Sequence, residues 1–283
     1  MAENLLHSMA HFHELFEKIL AERNPATIVE VGCEYGGSTL RLAEYAKSHQ
    51  ANLTVIDPFP KVDPDKALAD FQGIYTFLCK KSVDALPGMK GDIFFLDGDH
   101  NYWTVLSELQ AIYTANPDAW VVLHDVGPPC ARRDHYYAPD EIPSEHRHAY
   151  SHDYGVDLRT GELRYRSGFW GAGDFAIALT DNTARNGVLT AVEDFLADKP
   201  NLHYTSTPLI FGVGVIVPMK NSEFIDRVFS PYQGKLCEEL EKNRLHLYND
   251  YLALNHEIRG TRLRRLLYRS LRLFQPLWKQ NSP

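Results

Sequence analysis

Apolar and polar positions along this chain alternate between a helical period and short continuous runs. Leu5, Leu6, Met9, Phe12, Leu15, Phe16, Ile19 and Leu20 recur at helical spacing, and Pro25 ends that helix. Residues 27–31 and 53–57 are apolar, β-branched stretches of strand length, and residues 38–48 between them carry a helical pattern. The same reading gives a helix over 65–78 and a short third strand near 76–79 or just before Ser82. A fourth strand over 93–97, a helix over 102–113 and a fifth strand over 120–123 follow. Strands alternating with helices of about ten residues predict an α/β fold on a parallel, doubly wound sheet.

Residues 127–173 break this rhythm. They are rich in Pro, His, Tyr and Arg and hold no lasting period, and so long a segment inside a domain is usually functional or disordered. A strand over 174–179, an amphipathic helix over 186–197 and a glycine-dotted strand over 209–217 resume the pattern. From Ser222 the chain reads as helical to about Leu277. The expected organisation is a helical extension over 1–24, a central domain over 25–220 and a helical extension over 221–283.

The chemistry gathers at two strand ends. The fourth strand runs into Asp97-Gly98-Asp99-His100, and the fifth into His124-Asp125. Strands buried on both faces release their polar groups at the carboxyl edge, where open α/β sheets bind ligands. Asp97, His124 and Asp125 offer carboxylate oxygens and an imidazole, a donor set for Mg²⁺ or Mn²⁺. Such an ion would lower the pKa of a substrate hydroxyl. His100, one turn beyond Asp97, is placed to take the proton, with or without a metal. Asp99 reads either as a further ligand or as a cap for the helix starting near Tyr102.

The loop Gly32-Cys33-Glu34-Tyr35-Gly36-Gly37-Ser38 leaves the first strand and opens a helix. Glycines there let the backbone approach a ligand. Gly32 has no glycine two residues on, so the dinucleotide fingerprint fails, which counts against a nucleotide-dependent oxidoreductase. Asp57 ends the second strand, where a carboxylate can accept both hydroxyls of a ribose.

The order Glu30-x-Gly32-x-x-x-Gly36, then Val55-Ile56-Asp57-Pro58-Phe59, Lys81-Ser82-Val83-Asp84-Ala85-Leu86-Pro87 and Phe95-Leu96-Asp97-Gly98-Asp99-His100-Asn101-Tyr102 resembles the class I S-adenosylmethionine-dependent methyltransferases. It is most similar to the small-molecule O-methyltransferase branch whose fourth strand ends in Asp-Gly-Asp-His-x-Tyr. Residues 186–196 are similar to that branch's penultimate helix, and the likeness spans roughly 25–217. It implies a Rossmann-like three-layer sandwich with a seven-strand, mostly parallel sheet whose last strand is antiparallel.

The resemblance also implies S-adenosylmethionine as cofactor. Glu30, Gly32, Gly36 and Ser38 would lie along its methionine moiety, Asp57 at the ribose, Ser82 near the adenine, and Asp97 at the crevice. In related metal-dependent enzymes the acid ending strand four and two adjacent residues ending strand five hold Mg²⁺. Those positions match Asp97, His124 and Asp125; the first of the adjacent pair is usually an oxygen donor and here is a histidine. A base three residues after the first acid matches His100. The implied acceptor is a hydroxyl of a small molecule: a sugar, glycosylated or polyketide-type natural product first, a catechol-like phenol second.

Charge and cysteines refine the picture. The net charge of −8 divides unevenly, since residues 258–283 hold seven Lys or Arg and no acid, leaving about −15 on the rest. An acidic body excludes general nucleic-acid binding. The four cysteines form no CxxC pair and no run is long enough to span a bilayer, so a cytoplasmic protein is expected. Residues 127–173 would act as a substrate lid, with Arg132 and Arg133 meeting an acidic substrate and Tyr136 and Trp170 giving aromatic surface. Residues 258–277 form a basic amphipathic pattern suited to an oligomer contact, the acidic body, a membrane surface or an acidic partner; a homo-oligomer is expected. The alternative to an enzyme is a non-catalytic scaffold of the same fold working through that basic helix.

Overall fold

The computed structural model describes residues 6–260. The expectations for the basic tail from Thr261 onward lie outside the described residues. A short 3₁₀ turn, Met9–Phe12, is capped by the Ser8 hydroxyl and leads into α1 (His13–Arg23), so the single N-terminal helix expected from periodicity is two pieces.

The central layer follows the alternating pattern. In chain order it contains β1 (Thr27–Val31), α2 (Gly37–His49), β2 (Asn52–Ile56), α3 (Pro64–Ala67), β3 (Tyr75–Leu78), α4 (Ser82–Ala85), β4 (Ile93–Leu96), α5 (Tyr102–Ala115) and β5 (Trp120–His124). The helix expected over 65–78 is absent. Its first turns survive as α3 and a 3₁₀ turn, then Gly73 at φ +81 reverses the chain into β3. Leu68, Phe71 and Ile74 mimic a helical stripe but serve a turn.

Residues 127–173 are ordered into small sheets rather than loop. β6 (His135–Tyr136) and β7 (Tyr150–Ser151) flank β10 (Ala176–Ala178), while β8 (Tyr154–Val156) pairs with β9 (Leu163–Tyr165). The strand expected over 174–179 therefore exists but belongs to this side sheet. The chain then forms α6 (Val188–Leu196), β11 (Leu202–Thr207), β12 (Val213–Pro218), α7 (Ser222–Phe229) and α8 (Lys235–Gly260).

The main sheet has the order β11-β12-β5-β4-β1-β2-β3, with β12 antiparallel to both neighbours. It is the expected seven-strand Rossmann-like sheet with its last strand reversed. Successive side chains of β4 point to opposite faces. Ile93 and Phe95 join α1, α2 and α7 in one apolar layer, and Phe94 and Leu96 join α5 and α6 in the other. The strand order reverses between β1 and β4, which opens a crevice at their carboxyl ends. α8 closes that end: Glu241 accepts from the Ile210 and Phe211 amides at 2.9 and 3.0 Å, and Asn249 from the Leu158 amide at 3.0 Å. No helix among the described residues is long and apolar enough to cross a membrane.

Candidate functional site

The crevice begins where two strand ends nearly touch. A methyl group on Gly32, which sits at φ +83, would lie 2.0 Å from the Asp97 carbonyl oxygen. Only glycine allows β1 and β4 to run so close before the chain turns into α2. Gly36, at φ +76, is the N-cap of α2 and meets only the Val62 side chain at 3.7 Å. The adjoining cavity encloses about 500 Å³ and is lined by Gly32, Ser38, Asp57, Ser82, Asp97, His100, His124 and Asp125 among others. Eight of the residues read from the sequence thus meet in one space. Glu30 and Gly36 do not line it.

Glu30 is fully buried on β1. Neither carboxylate oxygen has a well-formed hydrogen bond, though the Thr39 and Ser38 hydroxyls lie near enough to offset part of the burial; the carboxyl is pushed up to about 8. Asp57 holds the loop after β1. Its Oδ2 accepts from the Cys33 and Glu34 amides at 2.9 and 3.1 Å, and its Oδ1 from the Phe59 amide at 2.8 Å. Three of its roughly four acceptor positions are filled by backbone, so it has room for about one further donor, not two.

The two acidic strand ends form a chain of alternating carboxylate and imidazole. His100 Nδ1 stands 3.2 Å from Asp125 Oδ2, which is 3.4 Å from His124 Nδ1, which donates to Asp97 Oδ1 at 3.0 Å. His124 also donates from Nε2 to the Ile210 carbonyl at 2.8 Å, so both ring nitrogens face acceptors. Burial alone would lower the His124 pKa, but the Asp97 and Asp125 carboxylates outweigh it and raise it to about 9. Burial likewise opposes ionisation of Asp97, yet His124 and its hydrogen bond hold that carboxyl below its usual value. Asp125 keeps a left-handed backbone, φ +60, and its buried Oδ1 has no hydrogen-bond partner. Strain of this kind in a non-glycine residue collects at functional sites.

Three donor atoms, one each from Asp97, His124 and Asp125, lie within 4.8 Å of one another, the single such group among the described residues. The Nε2–H bond to a backbone carbonyl is the outer contact that a metal-binding imidazole commonly makes. The donor set therefore fits a divalent ion, and its nitrogen favours Mn²⁺-like borderline ions over Mg²⁺.

Asp99 lines the cavity too, while other expected residues fall elsewhere. Asp99 does not cap α5: Asn101 does, accepting from the Thr104 amide at 2.9 Å, while Asp99 accepts from the Tyr137 amide at 3.1 Å. Burial pushes Asp99 up to about 6. Arg132, Arg133, Tyr136 and Trp170 do not line the cavity. Arg132 forms a two-pronged pair with Glu193 on α6. Arg133 is buried against the Ala178 and Gly161 carbonyls and Asp181. Tyr136 is fully buried and donates to Asp134 at 2.8 Å; Trp170 donates to the His152 carbonyl at 2.7 Å. A pair of adjacent arginines next to tyrosines cannot be told from a binding patch by sequence alone, because its partners lie up to 61 residues away. The insert supplies Tyr137, Ala138, Glu141 and Ile142 to the wall instead, and Asp174 directly after it joins them. His7, Ser8 and Met9 also line the cavity, and no periodic signal at the N-terminus marks His7 for that place.

No curated protein matches the chain in sequence. Among solved structures, the chain is similar to the SAH-bound methyltransferase PaMTH1 of Podospora anserina, at 16% identity and TM-score 0.45 over 77% of this chain and 80% of that one. Cofactor-bound Rv0187 from MTB gives 16% identity and TM-score 0.45 over 75% and 80%. A methyltransferase from Geobacter sulfurreducens gives 14% and 0.40 over 74% and 77%. Residues 29–126 match the family model described as a methyltransferase domain, a span that holds every rim residue from Glu30 to Asp125.

Proposed function

We propose that this protein is an S-adenosylmethionine-dependent O-methyltransferase acting on a hydroxyl of a small molecule. The observation that carries the reading is a cavity of about 500 Å³ at the carboxyl ends of β1 and β4 in which His100 stands 3.2 Å from Asp125. S-Adenosylmethionine would supply a methyl group on a positively charged sulfur. The chain's part is to hold that methyl in line with the acceptor oxygen and to receive a proton. With Asp125 Oδ2 3.2 Å from His100 Nδ1, a proton on Nδ1 would be held there and Nε2 would be left as the base. Nε2 would take the acceptor's proton as the oxygen forms its bond to the methyl carbon, and the cofactor's sulfur would keep the electron pair of the carbon–sulfur bond that breaks.

The two lysines of the wall are occupied. Lys81 pairs with Glu141, and Lys61 stands 3.9 Å from Asp174. Paired lysines leave little to hold an anionic acceptor, which supports an uncharged one such as a sugar or a glycosylated or polyketide-type compound. Where a divalent ion binds, Asp97, His124 and Asp125 would hold it, and it would polarise the acceptor oxygen. The test is calorimetry with S-adenosylmethionine, with and without Mg²⁺ or Mn²⁺, followed by turnover on a panel of hydroxylated compounds. No binding at millimolar cofactor refutes the reading. Binding without turnover on the whole panel favours a scaffold instead.

A further inference from the structure

α8 is apolar on two opposite faces. Its inner face buries Leu245 and Tyr248 against Leu158 and Phe211, and the Tyr248 hydroxyl meets His7 Nδ1 at 2.9 Å. Its outer face holds Leu236, Leu240, Leu247, Tyr251 and Leu254, each between 53% and 72% exposed. At 3.6 residues per turn these five fall within an arc of about 60° along about 27 Å of helix. No charged residue lies inside that arc. A surface helix ordinarily turns one apolar stripe to its core and polar residues to water. Among the described residues nothing covers this second stripe.

Its pattern, flanks and size favour one occupant. Leu240, Leu247 and Leu254 recur every seven residues, the spacing that keeps a seam turned towards another helix. Glu239 and Asp250 stand exposed along one edge, where they would repel an anionic lipid surface. The five side chains present on the order of 500 Å² of apolar surface, near the upper limit for a patch on a monomer. With an interface core about 65% apolar, the stripe and its polar rim amount to roughly 770 Å² per copy, close to the ~800 Å² of a standard interface.

We infer that the chain forms a two-fold homodimer in which the outer stripe of α8 packs on the same stripe of a second copy. A two-fold contact is self-complementary, so a straight apolar seam is matched by its own duplicate. The inner face of the same helix holds the Ile210, Phe211 and Leu158 amides through Glu241 and Asn249. Pairing therefore braces the helix that closes each crevice. The inference does not depend on the reaction proposed above.

The test is sedimentation equilibrium on the full chain at micromolar concentration, where the wild type should show twice the monomer mass. Leu247→Glu and, separately, Leu240→Glu place a carboxylate in the seam and should each give the monomer. Both side chains are exposed within one chain, so the circular dichroism spectrum should not change. Lys242→Glu, outside the arc, should stay dimeric. The melting temperature should rise with protein concentration for the wild type and stay constant for the two seam variants. A monomeric wild type overturns the inference and leaves the stripe to another segment, partner or surface. A dimer that survives both seam substitutions overturns it as well, because the copies would then meet elsewhere.

Discussion

Replacing Gly32 by alanine should be far more damaging than the same change at Gly36, although both glycines hold left-handed backbone. At Gly36 the new methyl meets only Val62 at 3.7 Å, an ordinary contact. The cost there is the left-handed conformation alone, about 1–2 kcal/mol. At Gly32 the methyl would lie 2.0 Å from the Asp97 carbonyl oxygen and 2.6 Å from its carbon. Relieving that overlap needs a displacement of about 1.2 Å, since carbon–oxygen contacts close at roughly 3.2–3.4 Å. Neither strand end is free to give way. The Asp97 amide donates to the Val31 carbonyl at 2.9 Å, and the Gly32 amide to the Ile56 carbonyl at 2.9 Å. Overpacking adds about 1–3 kcal/mol, and loss of one of those bonds about 1 kcal/mol. The sum for Gly32→Ala is roughly 3–6 kcal/mol, a large part of the 5–15 kcal/mol typical of a folded domain. Urea unfolding should show the midpoint falling by about 1–2 M for Gly32→Ala if the slope is near 3 kcal/mol/M. SAH binding should vanish in the same variant. Two midpoints separated by less than the equivalent of 1 kcal/mol would refute the close approach of β1 and β4 as the reason for glycine at this position.

Asp125→Asn should lower kcat by about 10²–10⁴ while leaving SAH affinity within a few-fold, because the amide cannot hold His100 in the base tautomer; an unchanged pH–rate profile would count against the His100–Asp125 pair. The His124 pKa is raised to about 9 from 6.5, so its contribution is fully present below about 6.5 and disappears as pH rises through 9. In chelator-treated protein the urea midpoint should therefore fall between pH 6.5 and 10, and His124→Gln should flatten that fall; a level curve for the wild type would disprove the pairing. Asp57→Asn should lose about 1–3 kcal/mol of stability as well as cofactor affinity, since its new NH₂ faces backbone amides that need an acceptor. Binding loss with an unchanged urea midpoint would show that the loop holds itself.

The sheet was legible because its central strands are short apolar runs that stop abruptly at charged residues. Ile93 to Leu96 and Trp120 to Leu123 are buried on both faces, and their polar ends fall at the rim by geometry. β11 was not legible. Its residues, Leu-His-Tyr-Thr-Ser-Thr, are mostly half-buried at a sheet edge and carry no apolar run. The side sheets were missed for a different reason: strands of two or three residues are too short to express any period. The proximity of the motif residues was legible, because consecutive residues at a strand end cannot separate far. Roles that depend on distant partners were not. Asp134 shows this: its Oδ1 accepts from the Tyr102 and Gly187 amides, both at 2.7 Å, so it ties together α5 and α6.

The His7–Tyr248 contact joins positions 241 residues apart. Translation adds about 5–20 residues per second, so the roughly 150 residues between Asp97 and Tyr248 take on the order of 10 s to emerge. For that interval the crevice floor exists without its roof. The nascent chain therefore exposes an acidic, half-open pocket to its surroundings. A bound cofactor at that stage would fill the floor early and give the late helix a finished surface to dock on. Ligand supply during synthesis, and not only afterwards, then influences the yield of closed protein.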